Sequence, residues 1–225
     1  MKTKPAEIDL DSALTILENS VRRSIIKRLS QEPSYPLQLS KELGIGQQLI
    51  AKHLDTLEES GLVESSMTRS PSGPDRKEYA LKKSVSITLD FAPNLFSARL
   101  ISLSPNLEGR EMTKEASALV TRMDKIIRSA EDRTKIASIG KVLSDIDRRL
   151  DALEEERETL LYLRNLAMSE VADLARKSEQ NADSRRILYH ILDTHSRSVS
   201  EISESVNLRE ETVRKLLGEL EREVL

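Results

Sequence analysis

The apolar positions of this chain change their period twice, and the changes divide it into segments. From Asn19 to Gly61 they recur every three or four residues, the spacing of amphipathic helices. Asn19 or Ser20 is placed to cap a helix running to about Ser30. Pro33 and Pro36 then break the chain, and Pro36 suits a first helical position. A second helix is expected over about 37–43, closed by Gly44 where a left-handed residue is needed. A third begins near Gly46. After Gly61 the period falls to two. Residues 62–67 predict a strand, 69–75 a turn rich in Pro, Gly and Ser, and 76–81 a returning strand. Val85, Ile87, Leu89 and Phe91 alternate as a half-buried strand should, Pro93-Asn94 marks a turn, and 95–103 predicts the partner.

From about 113 to 177 the helical period returns, with Gly109 before it and Gly140 within it. Leu143, Ile146, Leu150, Leu153, Arg157, Leu160, Arg164, Ala167, Val171 and Leu174 follow alternating three–four spacing. Eight of these ten are apolar, which reads as a dimerising coiled-coil seam. Arg157 and Arg164 interrupt it, either fixing register or marking where the helix leaves a two-stranded partner for a bundle. A preceding helix over about 113–133 carries Leu119, Val120, Met123, Ile126 and Ile127 and is placed to pack back as an antiparallel hairpin. The bland alternative is a monomeric helical hairpin.

Two segments match without gaps at an offset of 163 residues. Arg22-Arg23 corresponds to Arg185-Arg186. Ile25 pairs with Leu188, Leu29 with Leu192, Leu39 with Ile202, Leu43 with Val206, Ile45 with Leu208, Ile50 with Val213, Leu54 with Leu217 and Leu57 with Leu220. The second copy carries Asn207, the next best left-handed residue, at the place of Gly44. A break in periodicity shared at one point implies a common three-helix motif.

Helix, tight turn, helix is the geometry of the helix-turn-helix, whose second helix presents N-terminal side chains to base edges in the major groove. If Ile50, Leu54 and Leu57 face the core, Gln48 and Lys52 share the opposite face at i, i+4, flanked by Gln47 and Ala51. Gln can bond adenine bidentately, Lys can reach guanine or phosphate, and Ala can touch a thymine methyl. His53 lies beside this face, within reach of phosphate. A hairpin directly after such a helix is a wing, with Arg69, Arg76 and Lys77 available to phosphate or the minor groove. Arg22 joins the DNA-binding candidates. The second copy ends where its wing would begin and has Glu210 and Glu211 in place of Gln47 and Gln48. It is expected to contact protein, or DNA only weakly.

Charge agrees with that division. The chain of 225 residues carries a net charge of −3, yet residues 19–83 hold 11 Lys/Arg against 8 Asp/Glu. Residues 141–180 reverse the balance, with 7 against 10. Local charge matters more than the total for a nucleic-acid reader. Aromatics are only 3% and Trp is absent, which suits small helical units joined by an exposed helix better than one large core. The absence of Cys excludes disulfides and thiolate metal sites. His53, His190 and His195 are too scattered for a metal site, and the last two read as ordinary helix-surface residues. No glycine-rich phosphate loop or nucleophile–His–acid pattern points to an enzyme. No apolar run reaches membrane-span length and no signal-peptide core is present, so the expected location is the cytoplasm. No cofactor is expected.

The segments "LENSVRRSIIKRL", "LSKELGIGQQLIAKHLDTLEESGLV" and "GPDRKEYAL" resemble the ArsR-type winged helix regulators. The layout, with a strand ending in "FAPNLF", a long dimerising helix and a C-terminal helix-turn-helix, resembles the archaeal sulfur-response regulator group. The resemblance implies a sequence-specific transcriptional regulator binding a promoter palindrome in double-stranded DNA as a homodimer. That group carries a CxxC redox switch, and the matching positions here are Gln31 and Ser34, so the switch cannot operate. The cysteine metal-sensing motif of metalloregulating relatives is absent too. The expected fold is mainly α with small β-hairpins (α+β). It comprises a winged helix-turn-helix over 8–83, a second hairpin and linker over 84–110, a helical coiled-coil dimerisation region over 111–180, and a wingless helix-turn-helix over 183–225. The competing reading is a tandem helix-turn-helix structural or interaction protein of chromosome organisation or assembly.

Overall fold

The computed structural model describes residues 8–69, 75–104, 106–107, 109–129, 132–177 and 180–223. The chain divides into two compact units. One comprises residues up to Asp90 together with Ser97–Arg110, and the other Phe91–Phe96 together with Glu111–Leu225. Among the described residues no helix is long and apolar enough to cross a membrane.

The first unit opens with a helix that the periodicity above does not single out, α1 (Leu10–Leu17). Its N-cap is Asp9, whose carboxylate accepts the Ser12 N–H at 2.9 Å, an ordinary capping arrangement. Helix α2 (Ser20–Leu29) is capped by Asn19, which accepts the N–H groups of Val21 and Arg22. Helix α3 (Pro36–Leu43) has its proline at the start, where no N–H is needed. Gly44 follows at φ 67°, a conformation in which a side chain is strained. Helix α4 (Gln47–Glu59) completes the trio. Ile25, Leu39, Ile50, Leu54 and Leu57 are fully buried between these helices. The facing set Ile50–Leu54–Leu57 therefore lies where the period of α4 puts it.

Strands β1 (Val63–Thr68) and β2 (Arg76–Leu81) pair antiparallel, from Val63 opposite Leu81 to Thr68 opposite Arg76. The expected turn at 70–74 lies outside the described residues. An isolated bridge joins Ser34 to Tyr79, with N–H···O distances of 2.9 and 2.8 Å. It runs the hairpin back along the loop before α3. Strands β3 (Val85–Ala92) and β4 (Leu95–Ser102) form a second two-stranded sheet. The alternation of Val85, Ile87, Leu89 and Phe91 does not make all four half-buried. Val85, Ile87 and Leu100 pack against the first core, while Leu89 and Phe91 are exposed. Leu95, just past the turn, is buried again, so period alone does not give burial along a two-stranded ribbon.

In the second unit, α5 (Lys114–Ile127) and α6 (Asp132–Lys177) lie antiparallel. Arg122 bonds Asp145 at 2.7 Å, and Glu115 feels the charge of Arg149 further along α6. The helical stretch expected over 113–177 is thus a hairpin. Val142 is buried on α6, but no residue of α5 is. Helices α7 (Ala182–Thr194), α8 (Val199–Val206) and α9 (Glu210–Glu223) close around Ile187, Leu188, Ile202, Val213 and Leu220, with Ala175 of α6 in the same core.

The two three-helix groups repeat in detail. Asn207 has φ 53° where Gly44 has 67°. Ser40 Oγ donates to the Ile45 carbonyl at 2.6 Å, and Ser203 Oγ donates to the Leu208 carbonyl at 2.6 Å. The backbone N–H of Ile45 returns to Ser40, and that of Leu208 to Ser203. The copies part on the last helix. On α9 Leu216, counterpart of His53, is buried alongside Val213 and Leu220, while Leu217, counterpart of the buried Leu54, is half-exposed.

Candidate nucleic-acid interface

Helix α4 is held from behind and open in front. Its buried stripe sits on α2 and α3, and Arg28 of α2 fastens α3 through Glu42. That pairing holds the Glu42 carboxyl below the usual carboxylate range. Ser40 closes the turn into α4 by the hydrogen bond described above. The turn gives α4 a glycine N-cap, Gly46, with no side-chain hydrogen bond to the first amides. Those donors and the positive end of the helix dipole are left for an external anion such as phosphate.

The front of α4 carries the stripe that the sequence singled out. Gln47, Gln48 and Lys52 are exposed and Ala51 is half-buried beside them. Among the described residues, neither the Gln48 amide nor the Lys52 ammonium has a hydrogen-bond or ion-pair partner. His53 is half-buried next to Lys52. Desolvation, then Arg22 and then Lys52, push its pKa below the ordinary histidine value, so it is neutral at neutral pH.

Three basic candidates are engaged within the fold. The Arg22 guanidinium donates to the carbonyls of Ile16 and Thr15, and Arg23 to those of Leu17 and Glu18. The pair satisfies the open carbonyls at the end of α1, and the Arg22 side chain is only 14% exposed. Arg22 is therefore a structural clasp, and a sequence pattern cannot reveal this because it depends on where α1 docks. Arg76 stacks 4.0 Å over the Tyr35 ring. Lys77 donates to Glu58 at 2.8 Å and lies over Tyr79. That contact raises the Lys77 pKa and lowers that of Glu58, which also accepts from Ser65. Together with the Ser34–Tyr79 bridge, these contacts fasten β2 along its length to α4 and to the segment before α3. Arg69, at the far end of β1, is exposed.

Glu58, Tyr35 and Ser40 are residues that sequence reasoning missed. Ser40 alone left a signal, since its equivalent Ser203 stands at the same offset in the second copy.

The seam of α6 is bare along most of its length. Leu143, Leu150, Leu153, Leu160 and Leu174 are between 44% and 62% exposed, with Ile146 half-buried. Val171 behaves differently, packing against the core of α7–α9. Arg164 pairs with Asp193 of α7. Arg157 pairs with Glu154 on its own helix at 2.8 Å.

A buried three-helix scaffold, a left-handed turn, an uncapped polar helix and an adjoining antiparallel hairpin define a winged helix-turn-helix. Residues 17–66 match the family model of a helix-turn-helix domain. The chain carries a DNA-binding helix-turn-helix domain in its N-terminal unit. No curated protein matches the chain.

Proposed function

We propose that this chain is a sequence-specific transcriptional regulator of the ArsR-like winged type that binds a palindromic promoter site as a homodimer. The observation that carries the reading is the unpartnered stripe Gln47–Gln48–Lys52 on α4, beside an uncapped helix start. Gln48 and Lys52 read base edges, Gln47 and Ala51 flank them, and the first amides of α4 hold a phosphate. Arg69 extends the contact to phosphate or the minor groove, while Arg76 and Lys77 set the angle of the wing. One such head makes few phosphate contacts and binds weakly at physiological salt. Two heads roughly 34 Å apart read one face of the duplex.

The second copy is supplied by α6. Its 46 residues span about 70 Å, and a stripe of leucines along that length stays in water unless another chain covers it. Covering them releases about 25 cal/mol for each Å² of apolar surface.

The group α7–α9 reads as a second helix-turn-helix. Glu210 and Glu211 are exposed at the start of α9, where they suit a helix dipole but repel phosphate. It is a surface for protein. This is the one feature that favours the alternative, a tandem helix-turn-helix assembly protein. A gel shift with mixed genomic fragments at low salt separates the two readings. Retardation that resolves to discrete fragments as salt rises is the expected result. No retardation at micromolar protein leaves the assembly reading in place.

A further inference from the structure

The seam of α6 begins earlier than Leu143. Its heptad spacing runs back through Ile139 to Ile136, and Ile136 is 81% exposed. Helix α5 meets α6 along another flank, at Asp145 and Arg149. From Val171 onward the seam is taken up by the core of α7–α9. The open part is residues 136–167, 32 positions. That is about four and a half heptads, more than the three to four that mark a coiled coil.

The two halves of this strip differ. The N-terminal half carries Ile136, Ile139, Leu143, Ile146, Leu150 and Leu153, apolar at every seam position. The C-terminal half has Arg157 and Arg164 among Leu160 and Ala167. Two copies laid parallel and in register stack each arginine on its own counterpart, and like charges in one layer repel. Two copies laid antiparallel about the point between Asp151 and Ala152 bring each C-terminal seam position onto an N-terminal one. Arg157 then falls opposite the partner's Ile146, and Arg164 opposite the partner's Ile139. The aliphatic stems lie on apolar surface while the charged heads reach the edge of the seam.

That edge supplies the countercharge. Asp147 adjoins Ile146 and is exposed. Its carboxylate comes beside the partner's Arg157, which holds Glu154 of its own helix at 2.8 Å. Arg164 brings its own countercharge, Asp193 of α7. Arg149 does not decide the direction, because it gains an acidic neighbour either way, Glu156 in the antiparallel pair and Glu154 in the parallel one.

We propose that α6 pairs with the α6 of a second copy in the antiparallel direction, residues 136–167 of each chain lying against the same stretch of the other. Arg157 sits between its own Glu154 and the partner's Asp147. This direction and register rest on the homodimer reading above. About 48 Å of helix is covered on each chain. The contact is isologous, its two-fold axis crossing α6 at right angles between Asp151 and Ala152.

The chain has no cysteine, so introduced thiols report the direction without background. Full-length Leu143→Cys and Leu160→Cys chains are mixed, allowed to exchange and mildly oxidised. The expected product is a disulfide-linked heterodimer, identified by mass. Either variant alone should stay unlinked, because its two thiols lie about 25 Å apart in the antiparallel pair. A variant that links to itself shows parallel copies, which overturns the direction and leaves the dimer standing. A dimer in sedimentation that gives neither link overturns pairing through α6. A native chain that sediments as a monomer sinks the homodimer reading itself. In sedimentation equilibrium, Arg157→Glu and Asp147→Arg should each weaken the dimer by about tenfold or more. The double variant should return to within about threefold of the native value. Within one chain the two sites are about 15 Å apart, so the recovery comes from contact between chains. A double variant with native helical circular dichroism and no recovery overturns the contact between Arg157 and the partner's Asp147.

Discussion

Replacing Gln48 and Lys52 together by alanine separates reading from folding. Neither side chain has a partner among the described residues and both are exposed, so their removal opens no cavity and orphans no group. Alanine is the best helix former, so α4 should hold or gain a few tenths of a kcal/mol. The cost falls on DNA. A bidentate base contact is worth about 1–3 kcal/mol. The proposed dimer loses it twice, which at about 1.4 kcal/mol per tenfold weakens specific binding roughly 30-fold to 20,000-fold. If Lys52 also neutralises a phosphate, the slope of log affinity against log salt falls by about 0.9 per chain. The assay is fluorescence anisotropy with a duplex selected from random sequence, at several salt concentrations, alongside thermal unfolding by circular dichroism. A double variant that keeps its preference for the selected duplex over random DNA refutes the groove contact. So does lost affinity that comes with a lowered unfolding midpoint, because the stripe would then be structural.

Leu54→Ala, at a fully buried position, should lower stability by about 2–5 kcal/mol; chemical denaturation showing less than about 1 kcal/mol would remove Leu54 from the core. If two chains pair through α6 as proposed, Leu150→Lys with Leu153→Lys should give a monomer in sedimentation where the native chain gives a dimer, leaving helical content intact; a dimer unchanged by the two substitutions would place the interface elsewhere. His53 has its pKa lowered in the free chain by burial and by Arg22 and Lys52, whereas a bound phosphate would raise it. The complex then binds more protons than the free chain, so affinity rises as pH falls from about 7 through the ordinary histidine range near 6.5. His53→Gln should flatten that rise, and an identical pH profile in the variant would refute the contact. The Glu58 carboxyl is lowered by Lys77 and Ser65, so its contribution to stability is present above the unfolded value near 4.5. It is lost as pH falls through the lower folded value. Glu58→Gln should remove that acid-side loss at a cost under about 1 kcal/mol near neutrality, since the pair is partly exposed.

Much of this molecule follows from neighbours three or four residues apart. Pro36 at a helix start, Gly44 and Asn207 at left-handed turns, the buried stripe of α4 and the polar stripe opposite it are consequences of local geometry, and each was legible in the chain alone. So was the repeat, whose Ser40 and Ser203 stand at the same offset although their hydrogen bonds show only in the folded chain. Tertiary packing decided the rest, because a charge has no assigned partner until distant elements meet. Arg22 looks like a phosphate ligand until α1 presents its carbonyls to it. Lys77 looks available to phosphate or the minor groove, and in the folded chain it is paired with Glu58. Leu89 and Phe91 keep the period of a half-buried strand, yet both are exposed while Val85 and Ile87 reach the first core. His190 reads as a surface histidine, and becomes the wall of a depression when α6, α7, α8 and a hairpin turn converge on it. Periodicity is written in the spacing of one segment, whereas the occupation of a side chain is settled by segments far away in sequence.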